Sequence, residues 1–443
     1  MLNYIWLGLI LLGAVIGGFS HRMKEVADGA VSGAGTAVTL AIGLVGIMAL
    51  WLGIMRLAER SGIVQALARA LRPLLRVLFP EVPIGHPAMG AMVLNISANM
   101  LGVTNAATPL GLRAMRHLES LNPYPGTATN AMCTFLAINT ASVQLLPITA
   151  IAVLATNGSQ NPSAIIGTTL ISTLLSSIVA IVVVKFFEKL PVFKARPGTA
   201  GSASTEPIAG DATAAEPAPA LRPMSSFGGL ALGAFVLCCL WFLALLTYPE
   251  WFGRAASVEQ LTQGPFVRSI NAISLVAIPF LLAFFPLYAA LRGLAVYEEF
   301  IEGAKEAFAV AVRIIPYLVA ILVAIGMFRG AGGIDLVTRF LRPALDLVHF
   351  PPELVPMALI RPLSGSGSLG VFSDLVKQLG PDHLVARMAG TIYGSSETTF
   401  YVIAVYFGSV GVRRTRHAVP AGLVADFFGL IAAVVICRMV FGG

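Results

Sequence analysis

Apolar segments long enough to cross a lipid bilayer follow one another along most of this 443-residue chain. A transmembrane helix needs about 20 mainly apolar residues. Nine stretches broadly meet that requirement, at residues 4–19, 36–57, 128–155, 163–187, 226–248, 268–291, 309–328, 384–407 and 418–441. The pattern predicts an all-α polytopic membrane protein with about nine transmembrane helices.

Two further apolar segments, at about 84–121 and 354–380, are interrupted in mid-course by small polar residues at 97–102 and 364–368. Irregular backbone at membrane depth is tolerated only where protein or a wet cavity satisfies its polar groups. We therefore predict that both segments are re-entrant hairpins.

The chain contains an internal duplication, because residues 33–102 recur in weaker form at 303–370. Each copy has an apolar span, a basic segment with a Leu-Arg-Pro tripeptide, a Phe-Pro pair and then an interrupted segment. If the hairpins do not cross, five crossings separate the repeated spans, and an odd number inverts the second copy. Inverted repeats with broken segments are typical of secondary transporters.

Charge sets the predicted orientation. Only 12% of the residues are charged, against roughly a quarter in soluble proteins, and cytoplasmic loops carry the excess of Lys and Arg. The basic loops contain Arg56, Arg60, Arg69, Arg72 and Arg76, then Lys185, Lys189, Lys194, Arg196 and Arg222, and finally Arg413, Arg414 and Arg416. These loops all fall on one side if the hairpins do not cross, and their positive charge then predicts that this side and the N-terminus are cytoplasmic. The net charge of +7 favours anionic lipid headgroups as partners, not nucleic acid.

Residues 195–225 are rich in Ala, Pro, Gly and Ser and poor in large apolar side chains. Such a composition predicts a disordered linker. It divides the chain into a first half at 1–194 and a second half at 226–443, which suggests a fusion of two formerly separate polypeptides.

The first hairpin carries five polar candidates for solute binding: Asn95, Ser97, Asn99, Asn105 and Thr108. An unpaired amide or hydroxyl in an apolar setting costs several kcal/mol. These side chains either hydrogen-bond a solute at the hairpin tip or cap the helix break itself. The second hairpin offers Ser364, Ser366 and Ser368 between glycines, which indicates either a similar tip or a flexible turn.

Glu397 is the sharpest candidate, since it lies in the middle of a predicted span. A carboxylate there costs about 2.5–3.5 kcal/mol on insertion scales. It can carry a proton, bind sodium or hydrogen-bond a neutral ligand, with Thr398 and Thr399 beside it. The alternative is an internal ion pair with Arg361 or Arg387.

The corresponding place in the first copy holds Asn139 and Gln144, which are polar but uncharged. Asp426, in the last span, is interpreted either as a structural bond to a neighbouring helix or as a proton relay. The sequence has no metal-ligand spacing, phosphate loop or catalytic triad. We therefore predict that the protein is not an enzyme and binds no metal or cofactor other than a coupling Na⁺ or H⁺. The four cysteines lie in apolar runs without a CxxC or a His-spaced pair, so we expect them to be buried small hydrophobic residues.

Several long motifs resemble one known family. The runs LAIGLVGIMALWLGIMRLAERSGI and NISANMLGVTNAATPLGLRAM resemble spore maturation protein A, whereas RPLSGSGSLG, YGSSETTFYVIAVYFGSVGVRRTRHA and PAGLVADFFG resemble spore maturation protein B. Both belong to the nucleoside recognition, or gate, domain family, which is distantly similar to concentrative nucleoside transporters.

This resemblance implies a bacterial inner-membrane protein without fixing a substrate. By similarity to the nucleoside carriers, hairpin tips and broken helices would bind the solute and a coupling cation. The leading hypothesis is a secondary transporter of a small polar solute, nucleoside-like or another metabolite, coupled to H⁺ or Na⁺ through Glu397. The alternative is a non-transporting membrane factor that recognises a ligand or scaffolds partners in the envelope. A homo-oligomer is compatible with either.

Overall fold

The computed structural model describes residues 2–83, 85–102, 104–194, 221–255, 263–347 and 349–442, which form α-helices and no β-strand. The predicted linker lies outside the described residues up to position 220. The helices are α1 (Leu2–Phe19), α2 (Met23–Arg60), α3 (Ile63–Leu78), α4 (Pro87–Leu101), α5 (Thr104–Glu119), α6 (Asn130–Ala141), α7 (Ile148–Thr156), α8 (Ile165–Lys189), α9 (Ser226–Thr247), α10 (Pro265–Leu291), α11 (Val296–Gly330), α12 (Gly333–Leu347), α13 (Val355–Ile360), α14 (Gly365–Leu379), α15 (Leu384–Gly394), α16 (Thr399–Gly408) and α17 (Ala418–Phe441).

Among the described residues, six helices are long and apolar enough to cross a membrane, namely α2, α8, α9, α10, α11 and α17. They account for six of the nine predicted spans. The apolar part of α1, at Trp6–Phe19, is shorter. The predicted spans at 128–155 and 384–407 are not continuous helices, because each is divided into two half-helices, α6 with α7 and α15 with α16.

The duplication extends beyond the repeated sequence motifs, because α2 to α8 recur element by element as α11 to α17. Each series has a long helix, an amphipathic helix with an internal proline (Pro73 or Pro343), a helical hairpin, a broken helix and a closing helix. The long helices have 38 and 35 residues and the closing helices 25 and 24.

The two long helices, α2 and α11, pack against each other in opposite directions along most of their length. A Cβ on Gly303 would lie 2.6 Å from the carbonyl oxygen of Leu52, and a Cβ on Gly33 would clash with the carbonyl oxygen of Leu322. The duplication exchanges these two contacts, since Gly33 and Leu52 are spaced from Gly303 and Leu322 as the first Leu-Arg-Pro is from the second. Small residues permit such close backbone approach between helices in a membrane.

Hydroxyl side chains join the closing helices of the two copies. The Ser172 hydroxyl of α8 donates to the carbonyl of Gly429 at 3.2 Å, and the Ser176 hydroxyl donates to that of Ala425, also at 3.2 Å. Hydrogen bonds of this kind between transmembrane helices are worth about 0.6 kcal/mol on average. They fix α17 beside α8 at the depth where the broken helices lie.

The hairpin turns lie a few residues from the predicted interruptions. Helix α4 continues through the run at 97–101 and ends at Gly102, whose φ of +75° is one that glycine adopts readily. In the second hairpin Ser364 is the N-cap of α14, and its hydroxyl accepts from the Gly367 amide at 3.0 Å. The Gly/Ser run at 365–368 is therefore the first turn of a helix, which corrects the interpretation of that run as the hairpin turn.

Two loop contacts join the copies. In the first, the α5–α6 loop meets the α16–α17 loop, where the Ala128 amide donates to Arg414 O at 2.9 Å and the Arg413 amide donates to Gly126 O at 3.0 Å. We call it the backbone latch. The Arg416 guanidinium reinforces it by donating to Ala128 O at 3.0 Å.

The second contact joins the α7–α8 loop to the α14–α15 loop, which are the counterparts of the first pair under the duplication. We call it the carboxylate latch, because Asp382 accepts from the Ser159 hydroxyl at 2.7 Å and from the Gln160 amide at 3.0 Å. Arg387 also donates to it at 3.2 Å. Burial alone would raise the pKa of Asp382, but these hydrogen bonds and the Arg387 charge outweigh burial and hold that pKa below its ordinary value.

We expect Gly33→Ala to destabilise the protein by roughly 1–3 kcal/mol, the usual cost of overpacking. The added methyl group meets the Leu322 backbone, which cannot move aside as a side chain does. Thermal unfolding in detergent measures the effect. The control is Gly46→Ala in the same helix, where a Cβ meets nothing within 4 Å. Equal melting temperatures for the two variants would contradict the close packing of α2 on α11.

We expect the stability advantage of the wild type over Asp382→Asn to be complete above about pH 4, the ordinary value for an unfolded aspartate. Because the folded-state pKa of Asp382 is lowered, this contribution is lost as the pH falls through that lower value. Thermal melts of both proteins across the acidic range provide the measurement. A difference between them that does not depend on pH would rule out the ionised latch.

Candidate functional site

The breaks in the two interrupted helices meet each other. Helix α6 ends at Ala141, where Ser142 turns the chain with φ +39°, and α7 starts six residues further along at Ile148. In the other copy the break lies between Gly394 and Thr399. The Glu397 amide crosses from one copy to the other and donates to the carbonyl of Thr140 at 2.9 Å. The second break therefore satisfies a carbonyl near the end of α6 that has no helical partner.

The Glu397 side chain is partly exposed at this crossing. Its Oε1 accepts from the Gln144 amide of the first copy, with 3.4 Å between the two atoms. In the part of the chain that the structure describes, neither candidate arginine pairs with Glu397. Arg387 contacts Asp382 in the carboxylate latch. The ion-pair alternative is therefore not what the structure shows.

Arg361 instead holds the second hairpin against the broken helix. Its guanidinium donates to the carbonyls of Tyr393, at 2.8 Å, and Ser396, and it lies 4.9 Å from the centre of the Tyr393 ring. The residue is 4% exposed, so a positive charge is buried beside the carbonyl that precedes Glu397, without an ion pair among the described residues. The Phe400 amide donates to Pro362 O at 3.0 Å and closes the same junction.

The asparagines of the first hairpin form a network with the broken helices. Asn99 donates to the Asn139 side-chain oxygen at 2.8 Å, and Asn139 donates to Phe135 O at 2.9 Å. Asn95 donates to Ala107 O at 2.7 Å and to the Tyr406 hydroxyl at 3.2 Å. These amides therefore support the hairpin, and Asn99 is the partly exposed one of the three.

The remaining candidates separate into buried and accessible groups. Ser97 donates to Val93 O at 2.8 Å and Ser368 to Ser364 O at 2.6 Å, so both hydroxyls are used within their own helices. Thr398 is buried, with its hydroxyl oxygen 3.2 Å from where a Cβ on Gly365 would lie. Ser366 and Thr108 are partly exposed. The side chain of Asn105 falls outside the described residues.

Thr399, the first residue of α16, makes a contact of a different kind. Its hydroxyl donates to Oδ2 of Asp426, and Asp426 is 4% exposed. Asp426 therefore makes the predicted bond to a neighbouring helix, and its partner is a residue of the polar segment that contains Glu397.

Sequence reasoning missed two members of this arrangement. Tyr406 gave no signal beyond an aromatic residue in an apolar run, and its contact with Asn95 depends on how the two copies pack. Arg361 was considered only as an ion-pair partner. Its real contacts are backbone carbonyls, which a sequence does not distinguish from one another.

The sequence profile of the nucleoside recognition family, Gate, matches residues 41–190 and 311–413, together more than half of the chain. The chain belongs to this family. The two matched blocks lie in the two structural copies.

The Gate chain is similar to two curated proteins of Bacillus subtilis (strain 168). Spore maturation protein B is 44% identical over 173 residues, which cover 39% of this chain and 97% of that protein. Spore maturation protein A is 40% identical over 187 residues, which cover 42% of this chain and 95% of that protein. Together with its apolar helices, family membership identifies this chain as a multi-pass membrane protein.

A solved structure, the YdaH transporter of Alcanivorax borkumensis, aligns with a TM-score of 0.40 and 15% identity. The alignment covers 100% of this chain and 98% of that one. A score this low does not establish a common fold.

We expect Arg361→Met to lower the free energy of unfolding by at least about 2 kcal/mol, because hydrogen bonds from charged donors are worth about 1.5–3 kcal/mol each. The substitution leaves the Tyr393 and Ser396 carbonyls without their donor. Arg342→Met is the control, since that side chain is 76% exposed in a long surface pair with Asp346 and such pairs contribute little. If the two variants unfold alike in detergent, Arg361 does not hold the junction.

Proposed function

We propose that this Gate protein is a secondary transporter of a small polar solute. The observation that carries the proposal is the partly exposed Glu397, positioned between the broken helices of two copies and bonded across them to Gln144. A carboxylate inside a membrane bundle is costly and marks a solute, ion or proton pathway by default.

The duplicated scaffold supports the same proposal. Equivalent helices that run antiparallel are what an inverted repeat produces, and inverted repeats give inward-open and outward-open states of similar energy. We infer a topology of nine spans and two re-entrant hairpins in the bacterial inner membrane, with a cytoplasmic N-terminus. The halves at 1–194 and 226–443 would each supply one copy, joined by the linker.

The chemistry of the crossing suggests the kind of solute. Gln144 and Asn99 offer amide donors and acceptors, Ser366 offers a hydroxyl, and Glu397 offers a carboxylate. Such a set suits a neutral or zwitterionic solute with several hydrogen-bonding groups, such as a nucleoside-like or other small metabolite. Solute transport would be coupled to movement of H⁺ or Na⁺, and the sequence predicts Glu397 as the residue that binds the coupling ion.

A second candidate function is a non-transporting membrane factor that recognises a ligand or holds partner proteins. It is favoured by the names of the two relatives, each matched over nearly its whole length, because both are spore maturation proteins. Transporter and membrane factor differ in whether a bound solute crosses the bilayer.

We expect Glu397→Gln to abolish or uncouple transport while the protein stays folded. The purified protein is first screened by thermal unfolding against nucleosides, amino acids and small acids, with and without sodium, because a ligand of the folded state raises the melting temperature. The solute that shifts the wild type is then followed into proteoliposomes.

Glu353→Gln is the matched control, since it removes an exposed carboxylate outside the crossing. Normal ion-coupled uptake by Glu397→Gln would count against the assigned site. Tight solute binding by the wild type with no uptake in proteoliposomes would favour the membrane factor.

A further inference from the structure

Asp426 is a buried acidic side chain that the proposed solute site does not use. It is 4% exposed on α17, with Oδ2 bonded to the Thr399 hydroxyl. Its other oxygen, Oδ1, is buried and has no hydrogen-bond partner among the described residues. The same holds for the buried hydroxyl of Thr140 within that part of the chain. Thr140 and Thr399 both lie against Gly422, one turn of α17 before Asp426.

The surroundings of Asp426 offer hydroxyls and one distant positive charge. Helix α16 contacts it through Thr399, whereas α8 and α6 contact neighbouring residues of α17 through Ser172, Ser176 and Thr140. Helix α15 contacts α17 farther along, through Thr391 and Cys437. Arg361, the cation at the neighbouring junction, donates to the carbonyls of Tyr393 and Ser396 and forms no ion pair with Asp426 among the described residues.

An ionised carboxylate is expensive in such a place, since a buried charge needs a paired cation or a full set of donors. The neutral acid needs much less. Its proton occupies the one oxygen without a partner, and the Thr399 bond to the other oxygen is retained. A metal cation would require several oxygen ligands, whereas a proton requires one.

We propose that Asp426 is the proton-binding group of this protein, and that Glu397 contacts the solute. This inference deepens the proposed transporter function. Proton binding at Asp426 drives solute movement only if that function holds. Binding adds H⁺ to the Asp426 carboxylate and gives the neutral acid, and release reverses this step. Because Thr399 is the first residue of α16 and lies two residues after Glu397, the charge on Asp426 acts on the helix end that positions Glu397.

The test uses full-length protein in lipid nanodiscs and needs no solute. Infrared difference spectra over a pH titration should show the carbonyl band of a neutral carboxylic acid, which disappears as the pH rises. The band should be absent from Asp426→Asn. It should remain in Thr399→Val but move to higher frequency, because the carbonyl then loses its hydrogen-bond donor.

Two controls assign the band. Asp374→Asn removes an aspartate paired with Arg329 at 2.8 Å and should leave the band unchanged, as should Glu397→Gln. A band that survives in Asp426→Asn, or is lost in Glu397→Gln, overturns the assignment. So does a wild type with no such band while folded, or a band displaced by sodium at constant pH. Failure here leaves the carrier proposal to be decided by the uptake measurement.

Discussion

The close approach of α2 to α11 is the contact on which the rest of the molecule depends. Lipid surrounding the helices is as apolar as their side chains, so burial in the bilayer supplies no hydrophobic force that pairs one helix with another. Glycines at matched positions in the two copies let backbone meet backbone instead. Each copy supplies the glycine of one contact and the carbonyl of the equivalent one, so the two long helices pack antiparallel and the copies have opposite orientations. This packing brings the breaks in the two series to the same place.

The crossing of the broken helices follows from this arrangement. A helix that stops inside a membrane exposes carbonyls and amides that no water reaches. Here the opposite copy supplies one of the groups, since the Glu397 amide donates to Thr140 O. Arg361, which belongs to the same copy as α15, donates to the carbonyls of Tyr393 and Ser396. A carbonyl of the first break is thus satisfied by the other copy, and carbonyls of the second break by that copy's own hairpin. The side chains of Gln144 and Glu397 remain partly exposed at this crossing.

Sequence patterns predicted much of the scaffold and less of the site. Apolar length is a local property, so six spans and the duplication could be recognised without tertiary information. The hairpin turns lie a few residues from the predicted positions, because the hydroxyls of Ser97 and Ser368 find carbonyl partners within a helix as readily as serines do in loops. The roles of Arg361 and Tyr406 depend on which carbonyl or amide the packing brings to them. The bond from Thr399 to Asp426 joins two helices, and the periodicity of apolar residues does not predict how those helices are aligned with each other.

The two latches have a consequence for the symmetry of the molecule. They occupy equivalent places, yet one consists of backbone hydrogen bonds and an arginine that remains charged at any physiological pH, and the other is centred on the carboxylate of Asp382. Acid weakens the second latch, because protonation of Asp382 removes the negative charge that its donors hold, whereas the bonds of the first involve no carboxylate. A scaffold built from matched copies therefore has unlike ends, and a fall in pH loosens one end before the other.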